Sequence, residues 1–266
     1  MGKRIQGARK AYKSKSVEES KKYHTKTSIE KAAEKHTVES SIYLKDWIYG
    51  ALDGIITTFA VVSGVTGASL GFIIILILGF ANLAGDGISM AVGNYLGIKS
   101  EKDYYNTERR REEWEVENVP AGEIEEIREI YKKKGFEGKP LEDVVKTITS
   151  NKKVWVNEMM IHELGLMDDE KSPAKAGLAT FAAFVLAGLV PLLSYLFALS
   201  FPAIGPYSFI VAVILTAITL FGVGSARALV IDKKWYIAGL EMLVVGGIAA
   251  IAAFYIGYAA SLFIGA

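Results

Sequence analysis

The sequence contains no cysteine, which excludes disulfide bonds, zinc fingers, thiolate catalysis and iron–sulfur clusters. It also lacks an excess of charge of either sign, because 30 Lys and Arg are balanced by 29 Asp and Glu. This balance argues against a nucleic-acid partner, which a strongly basic chain would indicate, and against an acidic disordered chain. The sequence has no glycine-rich phosphate-binding loop either, so nothing in it indicates a bound nucleotide or nucleotide-driven transport.

Basic residues are missing from long parts of the chain. All Lys and Arg lie within residues 1–46, 99–175 and 227–234, and five mostly apolar stretches of 22 residues or more separate or overlap these segments. About 20 apolar residues in a helix cross a bilayer core of roughly 30 Å, whereas helices of soluble proteins average about 11–12 residues. We therefore predict five transmembrane helices, at residues 47–68, 70–96, 174–199, 207–230 and 236–264. The first apolar stretch begins too late and is too long for a cleaved signal peptide.

The positions of the cations predict how these helices are oriented. Lys and Arg occupy the amino-terminal segment and the links after the second and fourth helices, whereas the other links and the carboxyl-terminal tail have none. Cytoplasmic loops carry the excess of basic residues, so the amino terminus and the link after the second helix are predicted to be cytoplasmic. Glu241, near the cytoplasmic start of the fifth helix, is expected to pair with Arg227 or Lys234. This topology fits a multi-pass protein of a prokaryotic cell membrane or of a vacuolar-type membrane in a eukaryote.

The predicted fold class is an all-α integral membrane protein with four parts. Residues 1–46 form a basic cytoplasmic arm, and residues 99–173 form a cytoplasmic helical domain inserted between transmembrane helices 2 and 3. The remaining parts are the membrane segments, 47–98 with helices 1 and 2 and 174–266 with helices 3 to 5. The arm is rich in Lys, Glu and Ser and is predicted to be mobile or partly helical near anionic lipid headgroups. A simple positive-inside anchor is the favoured interpretation of its charge.

Residues 99–175 hold 19 of the 29 acidic residues and are predicted to be helical throughout. The first helix continues from the second transmembrane helix through Glu117, and the Val-Pro-Ala-Gly stretch at 119–122 then breaks it. Three further helices are predicted, at 123–134, 140–150 and 153–164. Gly135 and Gly165 are expected to end the first and the last of these three.

Few polar side chains lie in the predicted transmembrane helices. An ionisable side chain there costs at least roughly a few kcal/mol, so each one is a candidate functional residue. Asp53 lies in the first helix, with Asp46 seven residues earlier on the same face, at the membrane entrance. The second helix has polar or sulfur-bearing residues at every fourth position, which places them in one stripe. The predicted transport pathway consists of Asp46, Asp53, Asn82, Asp86, Met90 and Asn94.

The stripe combines carboxylate and amide oxygens with a thioether, ligands that suit a weakly and transiently bound divalent transition metal. The competing interpretation is structural. Asp53 and Asp86 would then accept hydrogen bonds from Ser and Thr hydroxyls or from backbone groups of neighbouring helices, and Met90 would only pack. Three such hydroxyls are nearby in sequence, those of Thr57, Thr58 and Ser63.

Small residues are frequent in the first two predicted transmembrane helices. Gly50 and Gly54 are four positions apart, as are Gly93 and Gly97, and this spacing lets helix backbones approach closely. The polar stripe occupies one side of a five-helix chain, so a second copy is expected to supply the other half of the pathway. We therefore predict a homodimer in the lipid bilayer.

Acidic residues in the inserted domain form pairs at helical spacing. Glu112 and Glu115 are three apart on its first helix, and Glu123 and Glu126 are three apart on its second, so each pair shares a helix face. Joined by a tight turn, the two pairs can direct four carboxylates into one cleft. Oxygen ligands in this number suit Fe²⁺, Mn²⁺, Mg²⁺ or Ca²⁺, and a nearby thioether or imidazole favours a transition metal. The last predicted helix supplies further ligands, in Met159, Met160, His162 and Glu163.

The same acidic segment can instead form a solvated charged face. Acidic and basic residues alternate in it at pairing distances, Glu113, Glu117, Glu125 and Glu129 with Arg109, Arg110, Arg111 and Arg128. The spacing leaves both interpretations open.

Four segments of the sequence resemble motifs of the vacuolar iron transporter family. They are YGALDG at 49–54, FAVVSGVTG at 59–67, ANLAGDGISMAVGNY at 81–95 and ELGL at 163–166. The resemblance runs in order from about Tyr43 to the carboxyl terminus, with the five expected spans, and leaves the first 40 residues outside it.

The resemblance implies a homodimeric antiporter, not an enzyme, that moves Fe²⁺ and often Mn²⁺ out of the cytosol in exchange for protons. By position, the family's transport aspartate falls on Asp53 and its methionine on Met90, beside a pathway between the protomers. The family's cytoplasmic metal-binding domain implies a ligand set of Glu112, Glu115, Glu123, Glu126, Met159, Met160 and Glu163. Asn82 and Asn94 stand where acidic residues are common in the family, which puts the number of exchanged protons in doubt. Asp86 is the residue that can compensate.

Three other functions use parts of the same sequence. A membrane-anchored iron store or ferroxidase would need the Glu-x-x-His ligand motifs of di-iron helical bundles, which the acidic helices lack. A Mn²⁺ exporter would share the architecture and differ only in selectivity. A metal-sensing membrane scaffold would not need a polar stripe through the membrane. Metal flux separates a carrier from a storage or sensing protein.

Overall fold

The computed structural model describes residues 3–25, 42–228 and 233–264, and every regular element in these ranges is helical. The α-helices are α1 (Lys3–Lys13), α2 (Val17–Lys22), α3 (Leu44–Gly67), α4 (Phe72–Asn118), α5 (Pro120–Lys133), α6 (Gly138–Thr149), α7 (Lys152–His162), α8 (Pro173–Gly188), α9 (Val190–Ser200), α10 (Ser208–Arg227) and α11 (Trp235–Ile264). The chain divides into two compact units, a membrane unit (Met1–Ala91 with Lys175–Ala266) and an acidic unit (Val92–Ala174). The prediction of an all-helical chain is confirmed for the described residues.

The basic arm contains two short helices in its described part. α1 and α2 pack against each other, and Ala11 is buried. The ring of Tyr23 lies so close to Gly7 that a Cβ added at Gly7 would be 2.2 Å from a ring atom of Tyr23. The hydroxyl of Ser16 accepts a hydrogen bond from the backbone N–H of Glu19 and caps α2. Residues 1–2 and 26–41 of the predicted arm lie outside the described residues.

Within the described ranges, four helical segments are long and apolar enough to cross a membrane. They are α3, α4, α11, and α10 together with the 3₁₀ helix that precedes it, Pro202–Tyr207. α8 and α9 form a fifth apolar segment that is bent by 48°. Large apolar side chains are exposed on these helices, as expected of a lipid-facing surface; they include Ile73, Ile77, Ile210, Ile218, Val244 and Ile248.

Pro191, in the first turn of α9, explains the bend between α8 and α9. Its ring lacks an N–H and clashes with the carbonyl four residues earlier, so a straight helix cannot continue through it. The helix predicted at 174–199 is therefore present as two segments separated by Leu189.

Glycine permits backbone contact between α3 and α8. An ideal Cβ would lie 2.4 Å from the carbonyl oxygen of Thr180 if built at Gly50, and 2.3 Å from that of Phe184 if built at Gly54. The close approach predicted from this glycine pair is thus present, and it joins two helices of the same chain.

A hydrophobic core holds the helices of the acidic unit together. α6 contributes Leu141, Val145 and Ile148, which lie on one face at helical spacing and are all buried. The other fully enclosed members are Ile127, Val156, Met159 and Met160. This core fixes α5, α6 and α7 relative to one another within the unit.

A single residue, Val119, separates α4 from α5. Its φ of −132° and ψ of 43° end the first helix, and Pro120 begins the second. Proline suits this first position because its φ is already helical and its missing N–H has no helical partner to lose. The predicted break at 119–122 is therefore shorter than expected, and α5 begins at Pro120 instead of Glu123.

Glycine ends α5 as predicted. Gly135 has a φ of +91°, the N–H of Phe136 donates to the carbonyl of Tyr131 at 3.1 Å, and that of Gly135 donates to Lys132 at 3.0 Å. These two bonds form a Schellman motif, and the rings of Phe136 and Tyr131 pack edge to face with centroids 5.5 Å apart. Gly165, beyond α7, also has a positive φ, of +68°.

Candidate metal centre

Three carboxylates from two helices meet where α4 ends and α5 begins. Glu112 and Glu115 lie one turn apart on α4, and Glu123 lies in the first turn of α5. One oxygen from each of these groups lies within 4.8 Å of the others. Because only Val119 separates the helices, the first turn of α5 stays close to the last turns of α4. The structure thus brings together three of the four glutamates in the two predicted pairs.

Two of these carboxylates are buried. Glu112 is 1% exposed and Glu123 is 6% exposed, whereas the side chain of Glu115 is 27% exposed. The Oε2 atom of Glu123 is buried and has no hydrogen-bond partner in the described part of the chain. A buried charged oxygen without a partner is strongly unfavourable, so this position requires a proton or a cation.

The pKa values of the two buried carboxyl groups are raised, because burial disfavours their charged forms. Burial, and then the negative charge of Glu163, raise the pKa of Glu112 to about 7 against the opposing effect of Arg111. Burial, and then the charges of Glu126 and Glu112, raise the pKa of Glu123 to about 7. Near neutral pH these two side chains can therefore exchange a proton for a metal ion.

Glu126 and Glu163 lie at the exposed edge of the same group. Partial burial raises the pKa of Glu163, followed by the charge of Glu126. Mutual repulsion therefore links five carboxylates: Glu112, Glu115, Glu123, Glu126 and Glu163. We call these five residues the carboxylate cluster. It contains all the glutamates of the predicted ligand set.

Other glutamates of the unit form a solvated, ion-paired face. The pairs are Arg109 with Glu113, Lys152 with Glu117, Arg128 with Glu125 and Glu142, and Lys132 with Glu129. The structure thus separates two sets of glutamates, one that converges as the metal-site interpretation requires and one that is ion-paired as the solvated-face interpretation describes.

Arg111 is the residue of the site that sequence reasoning missed, since it was grouped with the arginines of the solvated face. Its guanidinium contacts Glu108, Glu112 and Glu115 at 3.0, 2.8 and 2.9 Å. Its spacing of three from Glu108 and four from Glu115 is the signal that could have identified it.

Met159 and Met160 are 0% and 1% exposed and belong to the hydrophobic core of the acidic unit. Packing accounts for their burial, and their role as metal ligands stays a prediction. His162 takes part in a different group, with its Nε2 atom 3.2 Å from Glu158. Glu158 also accepts hydrogen bonds from Tyr131 at 2.7 Å and Lys134 at 3.2 Å. These contacts lower the pKa of Glu158 despite its partial burial.

The predicted membrane pathway begins with three aspartates. Asp46 is buried in the first turn of α3, Asp53 is half-buried further along the same helix, and Asp86 is exposed on α4. Asp53 and Asp86 are close enough to interact electrostatically. No hydroxyl donates to either of these two carboxylates within the described residues; Thr57 donates instead to the carbonyl of Asp53, at 2.9 Å. Among the described residues, hydroxyl groups therefore do not stabilise these two carboxylates by hydrogen bonds.

The remaining pathway residues have mixed surroundings. The side-chain amide of Asn82 donates to the hydroxyl of Thr57 at 3.3 Å. Met90 is partly buried and packs against the core of the membrane unit, and Asn94 is partly buried as well. The continuous helix α4 carries all the stripe residues at intervals of four. Their part in transport stays a prediction.

Glu241 is paired, as predicted. Its carboxylate accepts a hydrogen bond from Lys233 at 2.6 Å and lies 3.7 Å from the guanidinium of Arg227. The predicted arginine is therefore a partner, and the lysine is Lys233 instead of Lys234.

Comparison with known proteins assigns a family. The family model described as the VIT family matches residues 44–258. A vacuolar iron transporter of Plasmodium berghei is 38% identical over 265 residues, which cover 97% of this chain and 97% of the relative. One of Toxoplasma gondii is 36% identical over 97% of this chain and 89% of its own length. Vacuolar iron transporter 1 of Arabidopsis thaliana is 34% identical over 83% of this chain and 87% of its own.

The family match begins next to Tyr43, where the resemblance in sequence begins. The alignments with the Plasmodium and Toxoplasma proteins also include most of the amino-terminal arm, since they cover 97% of the chain. The first 40 residues therefore lie outside the family model, as expected, whereas most of them lie within the alignments with these two relatives. With several apolar membrane-length helices and a match over most of its length, the chain is a multi-pass membrane protein that belongs to the VIT family.

Proposed function

We propose that the protein is a carrier that exports Fe²⁺, and also Mn²⁺, from the cytosol in exchange for protons. The observation that carries this proposal is the meeting of three carboxylates, two of them buried, with oxygens within 4.8 Å of one another. The names of the relatives, vacuolar iron transporters, support iron as the transported substrate.

In this mechanism the carboxylate cluster faces the cytosol and collects the metal ion. Oxygen ligands bind hard divalent cations and replace part of their water shell. The thioethers of Met159 and Met160 would favour Fe²⁺ and Mn²⁺ over Mg²⁺ and Ca²⁺, because softer ligands prefer transition metals. Protons and metal compete for Glu112 and Glu123, whose pKa values of about 7 make the competition effective near neutral pH.

The membrane step uses Asp53 and Met90 from each of two protomers, with Asp46 at the entrance. In this proposal the bent pair α8–α9 forms one of five spans. The basic residues of the amino-terminal segment and of the acidic unit favour the cytosolic side for both. A proton arriving from the far side neutralises Asp53 and releases the metal, because a carboxylate that holds a cation disfavours its proton and the reverse. Asp86, which interacts with Asp53, is a second proton acceptor.

A homodimer completes the pathway in this proposal. Asp86 is exposed on α4, and built Cβ atoms at Gly85 and Gly93 on the same helix would meet no atom within 4 Å in the described chain. An exposed carboxylate is unfavourable against lipid, and open glycines allow another helix to approach closely. Both features therefore fit a surface covered by a second copy better than a surface that faces lipid.

The test is Fe²⁺ flux into proteoliposomes that contain purified protein, with and without an opposing pH gradient, and with Mn²⁺ as competitor. Uptake is expected to depend on the gradient and to be abolished in Asp53→Asn, which should remain folded. Asp143→Asn, an exposed change on α6, serves as the matched control and should transport normally.

The result separates the proposal from its alternative. Robust flux through Asp53→Asn would overturn the assignment of that residue. No flux in the wild-type protein, with tight metal binding by the carboxylate cluster, would instead identify a membrane-bound iron store or metal sensor.

A further inference from the structure

Arg111 inserts its guanidinium into one side of the carboxylate cluster. Its Nη1 atom donates to Oε2 of Glu115 at 2.9 Å and its Nε atom donates to Oε2 of Glu108 at 3.0 Å. Its Nη2 atom lies 2.8 Å from Oε1 of Glu112, as an ion pair without the geometry of a hydrogen bond. Two of its three partners therefore belong to the trio whose oxygens lie within 4.8 Å of one another.

The positive charge of Arg111 acts on only part of the cluster. It opposes the rise in the pKa of Glu112 and of Glu163, whereas the causes acting on Glu123 are burial and four other carboxylates. When no metal is bound, Arg111 thus reduces the electrostatic repulsion at Glu112 and Glu163 but not at Glu123.

A divalent ion in the cluster would need the same carboxylates. Two cations a few ångströms apart repel each other even in a polarisable environment, so metal binding and the present position of Arg111 oppose each other. The side chain of Arg111 is 44% exposed, and its flexible stem lets the guanidinium move towards water. Glu108, which lies outside the cluster and is 19% exposed, offers a partner that Arg111 can keep after it leaves the other two.

We propose that Arg111 is a resident counter-cation that the metal displaces from Glu112 and Glu115, and that it thereby weakens metal binding by the cluster. The inference rests on the proposed function, since it requires that the cluster binds metal. A carrier gains from such weakening, because the ion must leave the cluster to be transported. A residue that only orients the ligands would have the opposite effect, since its loss would weaken binding.

The experiment measures Mn²⁺ affinity by calorimetry for the full-length protein in detergent, comparing wild type with Arg111→Gln. The control is Arg110→Gln, which removes the same charge from the adjacent position. Arg110 is exposed and donates to the carbonyl of Asn106 and the hydroxyl of Thr107, and to no residue of the cluster. The expected result is at least threefold tighter binding in Arg111→Gln and less than a twofold change in Arg110→Gln.

Weaker binding in Arg111→Gln, or a gain no larger than that in Arg110→Gln, would overturn the inference. A variant with Glu112, Glu115 and Glu123 all changed to Gln tests the underlying site separately. If its Mn²⁺ stoichiometry equals that of the wild type, the proposed metal centre is wrong, and the failure belongs to the proposed function.

Arg111→Lys provides a second test if the glutamine variant does not fold. Lysine keeps the charge but presents a single ammonium group, which cannot hold three carboxylates in the geometry of a guanidinium. Its Mn²⁺ affinity is expected to lie between those of wild type and Arg111→Gln. An affinity below that of the wild type would show that Arg111 orients the ligands, and it would reject displacement.

Discussion

Glu123 occupies a position that packing alone does not explain. It lies in the first turn of α5, where the helix dipole and free N–H groups favour a negative charge. Its pKa is nevertheless raised to about 7, because burial and four neighbouring carboxylates outweigh the helix terminus. Because the helix terminus does not compensate for burial and repulsion, the Glu123 side chain needs a proton or a bound cation near neutral pH.

The pH dependence of the acidic unit follows from Glu112 and Glu123. In the folded protein their pKa values are about 7, above the ordinary 4.5 of a glutamate. The folded unit therefore keeps protons that the unfolded chain releases in this range, and its stability without metal falls as pH rises from about 4.5 to about 7. The two shifts alone would give roughly 4 kcal/mol between about pH 5.5 and about pH 8. Solvent screening of the charges reduces this, so we expect a loss on the order of 2 kcal/mol, measured by hydrogen exchange of α5 at these two pH values.

Metal should reverse this trend, because it binds the deprotonated carboxylates and stabilises the folded unit more as pH rises. Glu125→Gln, on the ion-paired face of the same helix, is the control and should retain the pH dependence. Stability that rises with pH in the absence of metal would contradict the assignment of buried, protonated glutamates.

Sequence spacing was sufficient to predict which glutamates converge at the candidate metal centre, but not which residues contact them. Pairs three apart on two helices joined by a short break predict convergence, and Glu112, Glu115 and Glu123 converge. The contacts of Arg111 depend on which rotamer fits among three acids, and the pairing of His162 with Glu158 depends on how α7 packs. Neither follows from helical periodicity.

At the scale of elements, α3 depends on glycine for its contact with α8. A side chain at Gly54 would place its Cβ 2.3 Å from the carbonyl oxygen of Phe184, so the two backbones would have to separate. We expect Gly54→Ala to lower the free energy of unfolding by about 2 kcal/mol, measured by thermal unfolding in detergent.

Gly222→Ala is the matched control for this change. A Cβ at Gly222, on α10, would meet no atom within 4 Å in the described chain. Alanine favours helix over glycine, so this variant should be unchanged or stabilised by up to about 1 kcal/mol. Equal stability of the two variants would mean that the α3–α8 contact does not require glycine.

The length of apolar stretches and the positions of glycine were enough to predict most helices from residue 44 onwards. Two differences between the predicted and the observed helices arise at prolines. Pro120 was expected to lie within a break, yet it begins α5, because a proline in the first turn costs nothing. Pro191 lies inside an apolar stretch that is long enough for one span, and it divides that stretch into α8 and α9. A hydrophobicity count does not register the missing N–H that causes the bend.

At the scale of the whole molecule, the open face of α4 predicts where two copies meet. Gly85 has room for a side chain in the described chain, so a leucine there should leave the monomer folded and obstruct a partner. We expect Gly85→Leu to shift the protein from dimer to monomer in detergent, measured by light scattering. Gly222→Leu, at an equally open position on α10, should leave the mass unchanged. A dimer that persists in Gly85→Leu would place the interface elsewhere.

The predicted topology combines signals of different strength. Apolar length identifies membrane helices because the bilayer imposes a minimum length, and the sidedness of the chain rests on cations alone. No minimum helix length is imposed on the amino-terminal arm by the bilayer. Its two packed helices depend on local contacts, such as that of Tyr23 with Gly7, and on the cap formed by Ser16. Single-sequence periodicity is weak in segments of this length.

Three glycines of the acidic unit, Gly135, Gly138 and Gly165, have φ values of +91°, +58° and +68°. Any residue with a Cβ pays about 1–2 kcal/mol for this conformation, and asparagine is the best substitute. Three such losses would remove roughly 3–6 kcal/mol from a net stability of about 5–15 kcal/mol. The turns therefore restrict which residues can replace these three glycines, although none of the three belongs to the carboxylate cluster.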